Sequence, residues 1–209
     1  MVSDATQVLS GPDLSAFDEP PPDPIALFAA WLAAAADAGV SETTAAALAT
    51  VDAAGRPSSR MIRILHVTQN GWVFSSHSGS QKGRDAQATG VASAVLYWPE
   101  TGQQVIFAGE LRVTSPEVSD QLWAERDSST YPMSVATVQS APLLDEAELR
   151  ARAARLAPQA STLARPATWV GYELIPSSVE FWHVGTERLH RRLRYDLCDG
   201  QWRTQALQP

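Results

Sequence analysis

A mainly β fold with peripheral helices, an α+β chain built on an antiparallel barrel or sandwich, is what the sequence predicts. Three observations lead there. Between residues 45 and 113, five short β-favouring runs follow one another, separated by turn sequences. The pattern becomes helical from Pro116. Four more β runs then return after residue 167. Connections this short join antiparallel neighbours, and many short strands of even spacing favour a barrel or sandwich.

The elements follow in order. Residues 1–22 are polar and acidic and end in Glu19-Pro20-Pro21-Pro22, which predicts a disordered arm before a single domain over 23–209. Asp23-Pro24 supplies an N-cap and a first-turn proline for a helix running to about Ala38 and stopped by Gly39. Leu27, Phe28, Trp31 and Leu32 share one face of it. Strands are expected at 45–51, 58–67 and 72–76, with turns at Asp52-Ala53-Ala54-Gly55 and Gln69-Asn70-Gly71. A short polar helix over 80–89 closes at Gly90. Strands at 91–98 and 104–113 flank Glu100-Thr101-Gly102. Helices are predicted over 116–126 and 145–156, with a loop carrying Pro132, Met133 and Pro142 between them. The last strands are 168–175, 178–183, 187–195 and 201–206.

Composition excludes several functions. The 209 residues suffice for one substantial core, and the 44% apolar and 19% charged fractions are ordinary for a globular chain. A net charge of −7 argues against bulk binding to nucleic acid or anionic membrane. One cysteine, Cys198, permits neither an intramolecular disulfide nor a cysteine metal site. The longest apolar run, 25–36, is short for a membrane span, and the N-terminus lacks the basic region of a secretory signal. A cytoplasmic location is the expectation.

Against that acidic background, the run from Val179 to Tyr195 is dense in cations. If it continues as a strand, Arg188, His190, Arg192 and Arg194 lie on one face, and Leu189, Arg191 and Leu193 lie on the other. Such a row repels itself unless an anion or water compensates it. It reads as an anion-binding wall or, equally, as a solvated edge strand that discourages aggregation. Arg60 opens another β run, either capping a sheet edge or holding a phosphate. The stretch from Ser75 and Ser76 to Gln81 and Lys82 joins a strand to a helix start and is either a phosphate cradle or a serine-rich loop with an N-cap. Gln104 and the pair Gln139-Ser140 offer polar groups to a ring edge, or simply polar surface. The histidines have no metal-ligand spacing, and no nucleophile triad is legible. Anion holders and amides without a nucleophile suit a chain whose reactive group is a cofactor.

Glu180-Phe181-Trp182, followed by Arg188-Leu189-His190 and Arg192, resembles the pyridoxamine 5′-phosphate oxidase family of flavoproteins over about residues 23–209. The resemblance implies a split β-barrel with peripheral helices, and a homodimer with FMN at the subunit interface. It assigns Arg60, Lys82, Ser75, Ser76 and Gln81 to the FMN phosphate. Met61, Ile62, Ile64 and Leu65 would run beside the isoalloxazine ring. Gln104, Trp169 and Arg192 would be further FMN contacts, as would Gln139 and Ser140, that pair from the other chain. Arg188 and His190 would face the substrate.

The departures are informative. Vitamin-processing members carry a lysine at Leu65 and a tyrosine at Leu122, which with an arginine and a serine bind the substrate phosphate. Here Arg126 and Thr130 stand for the last two. Gln81 replaces an arginine, and Arg191 replaces an acidic residue. Losing the lysine and tyrosine removes bonds worth roughly 1.5–3 kcal/mol each. Tyr97-Trp98, Tyr131-Pro132-Met133-Ser134 and Arg192-Leu193-Arg194-Tyr195-Asp196 are similar to the phenazine-biosynthesis branch of the family. That likeness implies an FMN-dependent oxidase that uses dioxygen to aromatise a partly reduced phenazine-type carboxylic acid. The acid would stack beside Leu65 and Leu122, and Arg188, with His190 or Arg191, would hold its carboxylate. The alternatives are a pyridoxamine or pyridoxine phosphate oxidase, a non-catalytic flavin or heme carrier, and an FMN reductase-like enzyme.

Overall fold

Asp23 caps the first helix, α1 (Pro24–Asp37), by accepting a bond from the Ile25 amide, and the helix ends before Gly39 at φ +78°. The structure, a computed structural model, describes residues 13–209. The N-terminal arm expected over 1–22 needs correction where it is described; residues 1–12 lie outside the described residues. Residues 13–22 pack on the domain: a 3-10 turn, Ser15–Phe17, buries Ala16, and the Tyr195 hydroxyl donates to the Pro21 carbonyl at 3.0 Å. No helix among the described residues is long and apolar enough to cross a membrane.

Among the described residues, nine strands make one antiparallel sheet. They are β1 (Ala45–Val51), β2 (Pro57–Arg63), β3 (His66–Val67), β4 (Trp72–His77), β5 (Val91–Trp98), β6 (Gln103–Val113), β7 (Trp169–His183), β8 (Arg191–Cys198) and β9 (Gln201–Ala206). Their order is β2-β1-β5-β6-β7-β4-β3, with β8 and β9 added beside β7. The run expected as one strand over 58–67 breaks at Ile64-Leu65. There the Ile64 amide bonds Thr44 and the Leu65 amide bonds Val73, so the chain turns a corner that joins both ends of the sheet. The corner brings the two ends of the sheet together without pairing β2 to β3, so the barrel stays split there. The helices α2 (Gln81–Thr89), α3 (Pro116–Ala124), α4 (Tyr131–Ala136) and α5 (Glu146–Leu156) lie outside it. The loop expected around Pro132 is the short helix α4, with Pro132 in its first turn, where a missing N–H costs nothing.

Two further expectations fail for stated reasons. The strands 168–175 and 178–183 are one strand, β7. Pro176 marks a bulge instead of an end, where the β6 register slips between Ala108 and Gly109. Only glycine fits at 109, since a Cβ there would lie 2.2 Å from the Ile175 carbonyl oxygen. The strand expected over 187–195 starts only at Arg191. Thr186–Arg188 is a 3-10 turn with Glu187 and Arg188 at φ +54° and +65°. The cationic row therefore holds only for Arg192 and Arg194.

The core is aromatic. Phe28 of α1 meets Phe107 edge-on with ring centroids 4.8 Å apart, and Trp31 meets Phe181 at 5.0 Å. A second cluster of Val73, Leu122, Trp123, Tyr131 and Trp169, flanked by Leu65, fills the space between the sheet and α3 and α4.

Candidate functional site

Local chemistry builds the first part of the site. Ser80 caps α2 by accepting the Gly83 amide at 3.2 Å, and Gly90 at φ +67° ends the helix. That fixes Lys82 in the first turn, 8% exposed, with its ammonium donating to Ser80 Oγ at 3.1 Å and Gln139 Oε1 at 3.3 Å. Ser76 donates to the same Gln139 oxygen at 2.9 Å, and the Gln81 amide donates to Ser140 Oγ at 3.2 Å. Across a cavity of about 450 Å³, lined by Ser59, Arg60, Met61, Ile62, Gln81, Lys82, Gln139 and Ser140, lies β2. Its outer edge has no strand partner among the described residues.

Arg60 is held by Thr50 at 2.7 Å and Ser58 at 2.6 Å. Its charge is answered by buried Asp85 at 3.9 Å, which also accepts from Thr50. Lys82 has no carboxylate partner among the described residues. Burial, and then the Arg60 cation, push its ammonium down from 10.5 to about 8. His77 is likewise held below its usual range by burial and by the Lys82 and Arg126 charges. A buried cation facing a cavity, a helix N-terminus and hydroxyl and amide donors is an arrangement that takes a phosphate. The chain thus fits the phosphate end of FMN.

The second part lies elsewhere in the same chain. Tyr97, Gln104, Trp182 and Arg192 stand opposite one another across β5, β6, β7 and β8, and so share one face. The His190 ring leans on Trp182 with centroids 4.9 Å apart. Arg192 pairs with buried Glu180 at 2.7 Å and donates to the Gln208 carbonyl at 3.0 Å; the Glu180 bond raises its pKa. Arg60 has buried Leu48 as its cross-strand partner and belongs to the opposite face. Three strands, β1, β5 and β6, separate β2 from β7. Within one chain the Arg60 side chain and the Gln104–Trp182–Arg192 row therefore stay apart.

The third group is the apolar cluster. Leu65 and Leu122 lie in it together, and Leu122 is 3% exposed. The Arg126 guanidinium is caged by Trp123 and Trp169, each 5.0 Å away, and by Tyr131 at 5.8 Å. It donates to Ser134 at 2.9 Å, and its buried Nη1 has no partner among the described residues.

Of the candidates read from sequence, Arg60, Met61, Ile62, Gln81, Lys82, Gln139 and Ser140 meet at the cavity, with Ser76 bonded to Gln139; Gln139 and Ser140, expected from the other chain, thus stand beside Lys82 and Gln81 of their own chain. Ser75 points to the other face of β4. Ile64 is committed to the core. Thr130 is exposed and donates to the Asp127 carbonyl at 2.7 Å; Ser134 is the hydroxyl partner of Arg126. Trp169 also needs correction. It is buried with Trp123 and Arg126 packed against it, whereas Trp182 stands in line with Gln104 and Arg192. Trp182 and Ser134 were both in quoted motifs, but only strand pairing and helix contacts single them out. Arg191 is not free for a carboxylate, since it is paired with Asp18 at 2.5 Å. Arg194 is paired with Asp196 at 3.0 Å.

Comparison with known proteins extends this geometry. A sequence profile described as pyridoxamine 5′-phosphate oxidase matches residues 32–160. Another, described as the pyridoxine 5′-phosphate oxidase C-terminal dimerisation region, matches residues 169–209. A dihydrophenazinedicarboxylate synthase of Burkholderia lata is 45% identical over 193 residues, 92% of this chain and 91% of that protein. A pyridoxine/pyridoxamine 5′-phosphate oxidase of Herminiimonas arsenicoxydans is 37% identical over 189 residues, 90% of each chain. The crystal structure of PhzG from Burkholderia lata in complex with tetrahydrophenazine-1-carboxylic acid superposes with a TM-score of 0.93. It is 43% identical, over 95% of this chain and 98% of that one.

Proposed function

The chain belongs to the pyridoxamine 5′-phosphate oxidase family, and on that premise we propose that it is an FMN-dependent oxidase that aromatises a partly reduced phenazine-type carboxylic acid. The observation that carries the choice of substrate is the apolar cluster. Leu65 and Leu122 lie together where vitamin-processing members of the family place a lysine and a tyrosine. At those two positions the chain suits a flat hydrocarbon-rich ring and offers neither the cation nor the hydroxyl that would hold a second phosphate. The 45% identity to a dihydrophenazinedicarboxylate synthase supports the same choice.

Arg60 and Lys82 hold the FMN phosphate, with Gln139, Ser140, Ser76 and the start of α2 completing the cradle. The open edge of β2 at Met61 and Ile62 runs beside the ring system. A second copy of the chain supplies Gln104, Trp182 and Arg192, because the two half-sites of one chain stay apart; the matched dimerisation region supports a homodimer. Arg188 takes the substrate carboxylate, and the His190 ring, leaning on Trp182, limits how the substrate can lie. These residues orient a ring C–H and exclude water, and gained aromaticity supplies the driving force, so no strong base is needed. The chemistry supplied by bound FMN is acceptance of a hydride from the substrate, which also gives up a proton, and return of two electrons to dioxygen, which leaves as hydrogen peroxide.

One observation favours a second reading, the vitamin phosphate oxidase. Arg126 and Ser134 form a cation–hydroxyl pair with a guanidinium N–H to spare. Oxygen uptake by the purified flavoprotein with tetrahydrophenazine-1-carboxylic acid, beside pyridoxamine 5′-phosphate, decides. Uptake on the reduced phenazine acid is the expected result, and uptake on the vitamin phosphate alone overturns the proposal.

A further inference from the structure

We propose that Arg191 is a positioning residue: with Asp18 and Phe17 it forms a clasp that holds the 184–190 turn in the conformation presenting Arg188 and His190. The inference rests on the reading of that turn as substrate-facing. Its starting point is strain. Glu187 and Arg188 are consecutive non-glycine residues in the left-handed region, at φ +54° and +65°. Such residues persist only where their surroundings over-determine them.

The turn's own anchors are few. The Val184 amide bonds the Gly102 carbonyl at 2.9 Å, the Leu189 amide bonds Thr186 at 2.9 Å, and the Gly185 amide bonds His190 Nδ1 at 3.2 Å. Gly185 is obligatory, since a Cβ would lie 1.8 Å from the Leu189 carbonyl oxygen. No residue of the turn is buried, and Leu189 is 71% exposed. Core packing therefore does not hold it.

The far end of the turn is held at Arg191. Its guanidinium pairs with Asp18 at 2.5 Å and stacks 4.9 Å from the Phe17 ring. Phe17 in turn lies 5.9 Å from Trp31 of the core. As first residue of β8, Arg191 stands opposite His183 and points to the other face from Arg192. It is thereby turned away from the Gln104–Trp182–Arg192 row, and acts on the site only through the backbone of its neighbours His190 and Arg188. The segment 13–22 is thus a working part of the site.

The test compares Asp18→Ala and Arg191→Ala with the parent, all loaded with FMN, by hydrogen–deuterium exchange and by kinetics on tetrahydrophenazine-1-carboxylic acid. Amide exchange across 184–190 is expected to rise in both variants. KM is expected to rise about two- to fivefold, the loss of one largely exposed ion pair, with kcat and FMN affinity little changed. The double exchange Asp18→Arg with Arg191→Asp is expected to restore protection and KM, which a role in stability alone does not require. Exchange across 184–190 that matches the parent overturns the clasp, as does a double exchange that restores neither readout. If no variant, nor the parent, turns over the reduced phenazine acid, the substrate reading fails, and the exchange measurement still decides the clasp.

Discussion

Lys82 shows how much a single side chain can be asked to do. Its ammonium is buried with no carboxylate partner among the described residues and sits at about 8 instead of 10.5. The folded, cofactor-free protein thus binds fewer protons than the unfolded chain between those two values. The depressed value is a destabilisation, present in full below pH 8 and relieved as pH rises toward 10.5. Lys82→Met is therefore expected to raise the melting temperature of the cofactor-free protein at pH 7. The same change should weaken FMN binding roughly tenfold to a hundredfold, the loss of one charge-assisted bond. Thermal scans with and without FMN, together with flavin-fluorescence titration, measure both. In the parent, FMN affinity should fall as pH passes above about 8. Little of this was readable from residue types alone. Lys82 beside a serine-rich turn suggested a phosphate, but its burial depends on Gln139, 57 positions away.

At the scale of elements, α1 and α2 were legible because their ends are written in local chemistry: Asp23-Pro24 and Gly39 for one, Ser80 and Gly90 for the other. The misreadings share an opposite cause. Pro176 looked like a strand end because a bulge is defined by the partner strand, which sequence spacing does not show. The run 187–195 looked like a strand because nothing in Glu187 or Arg188 announces a left-handed backbone. Trp169 was preferred to Trp182 because the row through Gln104 and Arg192 exists only after β6, β7 and β8 pair. α1 matters beyond its own turns. Phe28, fully buried against Phe107, ties it to the barrel interior. Phe28→Ala is expected to cost about 3–5 kcal/mol. Guanidinium unfolding of the FMN-loaded protein measures it, and a cost under about 1 kcal/mol would place the helix outside the cooperative core.

For the whole molecule, a site shared between two copies, as proposed, makes activity a property of the pair. Lys82→Met disables the phosphate cradle and Trp182→Ala the opposing row. Each homodimer should be weak. Refolding an equal mixture should form about half mixed dimers by random pairing of a two-fold assembly. Each mixed dimer carries one intact site, so about a quarter of the parent's sites should return. Recovery indistinguishable from zero would place both half-sites within one chain. The barrel class was evident from strand spacing, but the way its two ends meet was not, because it depends on a corner at Ile64-Leu65 bonded to residues beside two different strands.

That corner leaves β2 with one paired edge and one bare edge, and the bare edge is where cofactor and second subunit are proposed to settle. A newly made chain that has met neither presents a row of unused amides and carbonyls to any other chain in the same condition. Arg60 and Arg63 on that strand are already answered by Asp85 and Glu42, so charge alone does little to prevent such meetings. If cofactor and second subunit do settle there, they are what covers the edge, and flavin supply becomes a determinant of how much of the protein survives its own synthesis.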